Sequence, residues 1–213
     1  MSDIKRIFFV RHGSPVRLPG QFIGLMDSPL TEEGKSEAVK TGLWFESQGF
    51  SGLVYSSPLS RAYDTAAIIL EEIRKSNPSY DCGISVVDGL SECDFGLFDG
   101  KASDEFRKEY PAEFAAWYSD PFNNPFPGGE SFAQCGRRFA SAVEQILDEN
   151  KANDNDILIA AHMCAVQAYC VISGLREFGP DFAERPLPCA SITEIIYDQE
   201  GIARLEKWGW LPD

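Results

Sequence analysis

Ile7-Phe8-Phe9-Val10 and Ile157-Leu158-Ile159-Ala160-Ala161 are short, wholly apolar runs of strand length. Their β-branched and aromatic content is the pattern of strands buried on both faces of a parallel sheet. Leu53-Val54-Tyr55 reads as a shorter strand of the same kind. Between the strands the apolar positions recur at helical spacing. From Thr31 to about Gln48 they are Ala38, Val39, Gly42, Leu43 and Phe45, with Thr31 as cap and Glu32 and Glu33 at the positive end of the dipole. Ser57 as cap and Pro58 in the first helical position predict a second helix running to about Arg74. Ser131 and Gln134 form a capping box ahead of Phe132, Cys135, Phe139, Val143, Ile146 and Leu147. Asp148 to Asp156 is a polar turn, and a further helix is expected from Met163 to Ser173. The tail, Ser191 to Trp208, alternates around Asp198-Gln199-Glu200-Gly201 as a hairpin. Strands alternating with helices predict an α/β chain with a mostly parallel sheet and right-handed crossovers.

Length and composition fit one domain spanning residues 1–213, since 44% hydrophobic residues suffice for a sizeable core and no repeat or linker interrupts them. A segment around 101–130 stands out as an insertion. It carries Phe106, Tyr110, Phe114, Trp117 and Tyr118 and ends in a Pro- and Gly-rich loop, so it either packs as ordinary core or forms a lid.

The net charge of −14 excludes nucleic acid and anionic membrane as partners, because binding to either rests on neutralising negative charge. An anionic ligand therefore requires a locally positive pocket, which a few arginines can build. The six cysteines form no CxxC pair, and no charged-then-apolar leader precedes Lys5-Arg6, so reduced thiols in a cytoplasmic protein are expected. No apolar run approaches the roughly 20 residues of a membrane span. Two histidines without paired ligands at metal spacing predict neither a metal site nor a cofactor.

Those two histidines stand where α/β folds gather chemistry, just beyond the carboxyl ends of strands. Arg11 and His12 follow the first strand and His162 follows Ala161, while Arg61 falls in the first turn of its helix. A cation there opposes the dipole by a few tenths to about 1 kcal/mol unless an anion is bound beside it. Free N–H groups at helix N-termini make phosphate the natural ligand.

Six ordered blocks now resemble the histidine phosphatase superfamily, the phosphoglycerate-mutase-like group. They are Phe9-Val10-Arg11-His12-Gly13; Asp27-Ser28-Pro29-Leu30-Thr31-Glu32-Glu33-Gly34; Tyr55-Ser56-Ser57-Pro58-Leu59-Ser60-Arg61-Ala62; Leu90-Ser91-Glu92 with Phe95-Gly96 and Asp99-Gly100; Pro127-Gly128-Gly129-Glu130-Ser131; and Ala161-His162. The resemblance spans nearly the whole chain and implies a phosphoglycerate-mutase-like three-layer α/β sandwich. It further implies that His12 becomes phosphohistidine, that Arg11, Arg61 and His162 hold the phosphate, and that Glu92 serves as general acid and base. Bidentate arginines and a histidine can offset charge on the equatorial oxygens without metal. Arginines beside His12 favour its neutral, nucleophilic form, and a bound phosphate dianion raises the pKa of Glu92 toward the protonated donor.

The chain departs from the family pattern after each histidine. Met163 replaces the common Gly or Ser, with its backbone N–H still expected to face the phosphate. Ser14, Pro15 and Leu18 replace the usual loop residues, which makes Ser14 the remaining hydroxyl donor, and Arg17 either reaches the substrate or, the favoured reading, is a solvated loop residue. Cys93 and Cys164 read as small buried hydrophobes. The expected function is a metal-independent phosphomonoesterase acting on a small phosphorylated metabolite. A mutase is disfavoured because Cys93-Asp94-Phe95 follows Glu92 where mutases carry Arg and Tyr, and because residues 102–126 hold only Arg107 and Lys108 as cations. A phosphate-recognising regulatory module without turnover is disfavoured because all five catalytic residues are retained. A protein phosphohistidine phosphatase is a further alternative, although such relatives tend to lack the insertion. The sequence is silent on oligomeric state, a homodimer included.

Overall fold

The structure is a computed structural model that describes residues 5–153, 155–179, 186–198 and 200–212. The apolar runs form strands β1 (Lys5–Arg11), β2 (Leu53–Ser56) and β4 (Ile157–Ala161). They are joined by β3 (Ile84–Val86), which sequence reading did not anticipate, and by the hairpin β5 (Ile192–Tyr197) and β6 (Ala203–Trp210). Residue 199 of the expected hairpin turn lies outside the described residues. The strands make one sheet in the order β3-β2-β4-β1-β5-β6. The first four run parallel, and β5 and β6 are antiparallel additions at one side. β3 escaped notice because its three residues are half-buried or exposed at the sheet edge and show no apolar run.

The helices are α1 (Glu32–Ser47), α2 (Ser60–Ser76), α3 (Ser103–Glu109), α4 (Pro111–Tyr118), α5 (Phe132–Glu149) and α6 (Met163–Ile172). Alternation along β1 builds a core on each face of the sheet. Phe8 and Val10 pack with Phe45, Val54, Ile69 and Ile73 under α1 and α2, while Ile7 and Phe9 pack with Phe139, Val143, Ile159 and Val166 under α5 and α6. The three-layer, mostly parallel α/β arrangement expected from the sequence is the one observed.

Caps decide where two helices begin. The Thr31 hydroxyl accepts from the Gly34 amide at 2.9 Å, and the Ser131–Gln134 box is closed in both directions. α2 differs from expectation: it starts at Ser60, after Leu59, with no cap from its own side chains. Asp27 supplies the cap from another segment, its Oδ1 accepting from the Ser60 amide at 2.9 Å and the Ser60 hydroxyl at 2.8 Å. Ser57 is thereby released for another role. α3 and α4 place their aromatic rings on Phe98 and Phe126, with the Trp117 and Phe126 rings 4.8 Å apart. No helix is long and apolar enough to cross a membrane among the described residues.

Candidate active site

Three adjacent parallel strands deliver their carboxyl ends to one place. Arg11 is the last residue of β1, and the His12 amide continues the ladder by donating to Ala161 O at 3.0 Å. His162 follows β4 and caps α6, and Ser57 follows β2, donating from its amide to Ala160 O at 3.0 Å. Glu92 arrives from the short turn Asp88–Leu90 that succeeds β3, and Arg61 from the first turn of α2. The His12 and His162 ring centroids lie 5.2 Å apart.

Four of the five titratable groups are sequestered from solvent, with exposures of 5% for His12, 4% for Glu92 and 0% for both Arg61 and His162, while Arg11 is half-buried. Burial, then Arg11 and Arg61, hold the pKa of His12 well below its ordinary 6.5. Burial, Arg61, His12 and Arg11 do the same to His162. Both rings are therefore neutral at neutral pH. His12 Nδ1 lies 2.7 Å from Gly13 O. A carbonyl only accepts, so Nδ1 carries the ring proton and Nε2 keeps the lone pair needed by a nucleophile. His162 Nε2 lies 2.8 Å from Ser57 Oγ, which also accepts from the Leu59 amide at 3.3 Å. A Ser57 hydroxyl that donates to Nε2 would put the proton of His162 on Nδ1, the tautomer able to donate to a phosphate oxygen.

Glu92 occupies the positive end of α6. Its carboxylate accepts from the amides of Cys93 at 2.9 Å, Cys164 at 3.2 Å and Ala165 at 2.8 Å. Burial raises its pKa, against the opposing pull of those amides and of Arg61. Arg61 itself is held by Met26 O at 3.0 Å and Gly24 O at 2.7 Å, and Arg11 donates to Leu187 O. Arg11 Nε, Arg61 Nε and His162 Nδ1 are buried with no hydrogen-bond partner. Each buried unpaired donor costs about 1–3 kcal/mol, so the site stores an unfilled demand for acceptor oxygens.

The site opens on a cavity of about 230 Å³ whose walls include Arg11, His12, Glu92, Phe22, Phe95 and Met163. Arg11, His12, Arg61, Glu92 and His162, singled out from the sequence, thus converge. Met163 lines the cavity, and its own amide is the first-turn amide of α6 that Glu92 does not use. Ser14 stands differently: its amide and hydroxyl both donate to Glu37, at 2.7 and 3.0 Å, tying the loop after His12 to α1. Arg17 is exposed but reaches the cavity wall. Sequence reading missed Ser57 as the partner of His162, and the apolar walls Phe22, Ile23 and Phe95. The Ser-Ser-Pro step beyond a strand is the available signal for Ser57, but locally it fits a helix cap equally well.

All six cysteines are free. Cys93, Glu130 and Cys135 bring three ligand-type atoms within 4.8 Å of one another. The Arg138 guanidinium already pairs with Glu130 and lies 3.5 Å from Cys135 Sγ, placing a fixed cation beside any metal that these groups would hold.

The chain is similar to named proteins along most of its length. It is 29% identical over 172 residues to phosphoserine phosphatase 1 of Hydrogenobacter thermophilus, covering 80% of this chain and 77% of that one. It is 32% identical over 158 residues to the 2,3-bisphosphoglycerate-dependent phosphoglycerate mutase of Parvibaculum lavamentivorans, covering 73% of each. In fold it matches a mycobacterial glucosyl-3-phosphoglycerate phosphatase with a TM-score of 0.79 at 24% identity, covering 97% of this chain and 99% of the other. The phosphoserine phosphatase of Entamoeba histolytica matches with a TM-score of 0.77 at 22% identity over 96% of both chains. The family model for the histidine phosphatase superfamily (branch 1) matches residues 7–211, and the chain belongs to that superfamily.

Proposed function

We propose that this chain is a metal-independent phosphomonoesterase that hydrolyses a small phosphorylated metabolite through a phosphohistidine on His12, acting in the cytoplasm as a single domain. The observation that carries the reading is the buried cage itself. A neutral His12 with its Nε2 lone pair available sits among unpartnered donors of Arg11, Arg61 and His162, with a carboxyl of raised pKa alongside.

In the first half-reaction His12 Nε2 attacks phosphorus, a P–N bond forms, and the ester P–O bond breaks in line. Arg11, Arg61 and His162 Nδ1–H take the charge on the equatorial oxygens, and the Met163 amide faces the same group at the start of α6. The Glu92 carboxyl gives its proton to the leaving alkoxide. In the second half-reaction the Glu92 carboxylate takes a proton from water, the oxygen attacks phosphorus, the P–N bond breaks, and phosphate leaves. The leaving alcohol occupies the cavity between Phe22, Phe95 and Met163.

A named mutase among the relatives makes phosphotransfer the competing reading. Retention of phosphate by a mutase calls for cations that grip a second anionic group. Of the two cations in residues 102–126, Arg107 lies over the Phe114 ring at 5.7 Å, and neither it nor Lys108 lines the cavity. Phosphatase is the reading favoured by this arrangement. The deciding assay is hydrolysis of para-nitrophenyl phosphate and a panel of phosphorylated metabolites in EDTA, with His12→Ala alongside. Release of phosphate by the wild type and its loss in His12→Ala is the expected result; phosphoryl exchange between metabolites without net hydrolysis would assign a mutase instead.

A further inference from the structure

Arg138, on α5, belongs to none of the roles above, yet all five of its N–H donors are used. Nε and Nη2 grip the two carboxylate oxygens of Glu130, each at 2.8 Å. Nη1 donates to Gly89 O at 2.9 Å and Ser91 O at 3.0 Å, and the remaining Nη2 hydrogen goes to Glu92 O at 3.0 Å. Glu130 completes the enclosure from the other side. Its Oε2 accepts from the Asp94 amide at 3.1 Å, and its own amide donates to Asp94 O at 2.9 Å. The peptide from Gly89 to Asp94, with Glu92 inside it, is thus pinned at four residues by one ion pair.

We infer that the Arg138–Glu130 pair is the positioning device for Glu92, fixing the backbone that aims its carboxyl at the leaving-group oxygen. The inference rests on the reading of Glu92 as proton donor. That segment has little regular structure to hold it, only the turn Asp88–Leu90 before Glu92 and Gly96–Phe98 after it. The amides of Cys164 and Ala165 orient the carboxyl end, but an error in the backbone would swing the side chain out of their reach. Only a planar fork with five donors satisfies three carbonyls and both oxygens of a carboxylate at once; lysine, with three donors on a flexible stem, cannot. Burial alone would lower the Arg138 pKa, but the partnership with Glu130 outweighs it and raises it, while Arg138 in turn keeps Glu130 ionised.

A misplaced general acid has a signature that a structural defect lacks. An alkyl leaving group needs the proton, whereas para-nitrophenolate departs without it. The experiment compares kcat/KM, which ends at the first irreversible step, on glycerol 3-phosphate and on para-nitrophenyl phosphate for wild type, Arg138→Lys, Glu130→Gln and Glu92→Gln. General acid catalysis contributes about 10²–10⁴-fold, so Arg138→Lys and Glu130→Gln are expected to lose about tenfold or more on the alkyl ester and far less on the aryl ester. Glu92→Gln should show the same selectivity more strongly. Equal losses on both esters in the two clamp variants, or none, beside a selective Glu92→Gln, would overturn the positioning role alone. An unselective Glu92→Gln would overturn the donor reading and this inference with it. If Arg138→Lys fails to fold by circular dichroism, Glu130→Gln carries the comparison, since it keeps the shape and removes the charge.

Discussion

Neutral buried histidines make this site sensitive to acid in a way that can be measured on the folded protein. Burial and neighbouring arginines hold His12 and His162 uncharged. As pH falls through 6.5 the unfolded chain binds two protons that the folded chain refuses, so stability drops by about 1.4 kcal/mol per pH unit for each ring. Glu92 acts oppositely. Its raised pKa means that the folded chain holds a proton which the unfolded chain releases above 4.5, and the stability so conferred is lost as pH rises through the folded pKa. Urea unfolding between about pH 6.5 and 5 should therefore show a shallower slope in His162→Asn than in wild type, by about 1.4 kcal/mol per pH unit. Identical slopes would mean that His162 charges freely when folded. The same residue has Ser57 as its one hydrogen-bond partner on Nε2, so the direction of that bond sets its tautomer. Ser57→Ala should lower kcat/KM by about fivefold, the worth of one neutral hydrogen bond near 1 kcal/mol, and should cost about 1–3 kcal/mol of stability because His162 Nε2 is left buried without a partner. An unchanged kcat/KM would show that the Ser57 hydroxyl does not fix the proton on Nδ1.

Among the elements, a tight coupling near the site lies between the loop after His12 and the start of α1. A Cβ on Gly34 would fall 2.2 Å from Ser14 O, and one on Gly13 would fall 2.2 Å from Gly34 O. Backbone meets backbone there, so no side chain can yield. Gly34→Ala is expected to cost about 1–3 kcal/mol by overpacking and to lower activity by displacing Gly13 and His12. Gly83→Ala, where a Cβ meets nothing within 4 Å, should stay within about 0.5 kcal/mol of wild type. Equal thermal stability of the two variants would refute this packing. The contact also explains what the sequence revealed and what it concealed. Strands β1 and β4 and the capping box at Ser131 were legible because apolar runs and caps are local signals. Ser57, the cap by Asp27 and the clamp by Arg138 were not, because each depends on a partner distant in sequence: 105 residues for Ser57 and His162, 33 for Asp27 and Ser60. Ser14 was read as a free donor for the related reason that Glu37, which takes its hydroxyl, belongs to the next helix.

For the whole molecule the unusual quantity is charge. The chain carries −14 overall while Arg11 and Arg17 line its cavity and buried Arg61 acts on His12 from behind, around the proposed site for a phosphate dianion. Two fields of opposite sign therefore act on an approaching substrate, and they differ in range. The net negative field acts through solvent and is cut off beyond a Debye length of about 30 Å at 0.01 M salt but about 10 Å at 0.1 M. The arginine field acts at contact, on partly buried groups that salt screens much less. Raising ionic strength over that interval should therefore remove more repulsion than attraction, and kcat/KM for a phosphomonoester dianion should rise. Stopped-flow or initial-rate measurements in a salt of weakly coordinating ions would read the slope directly. A fall instead would mean that the arginines project beyond the pocket and steer the substrate from a distance. Exposed Arg17, at the cavity rim, would then be the residue to remove first, and Arg17→Gln should abolish that slope while leaving hydrolysis at high salt in place.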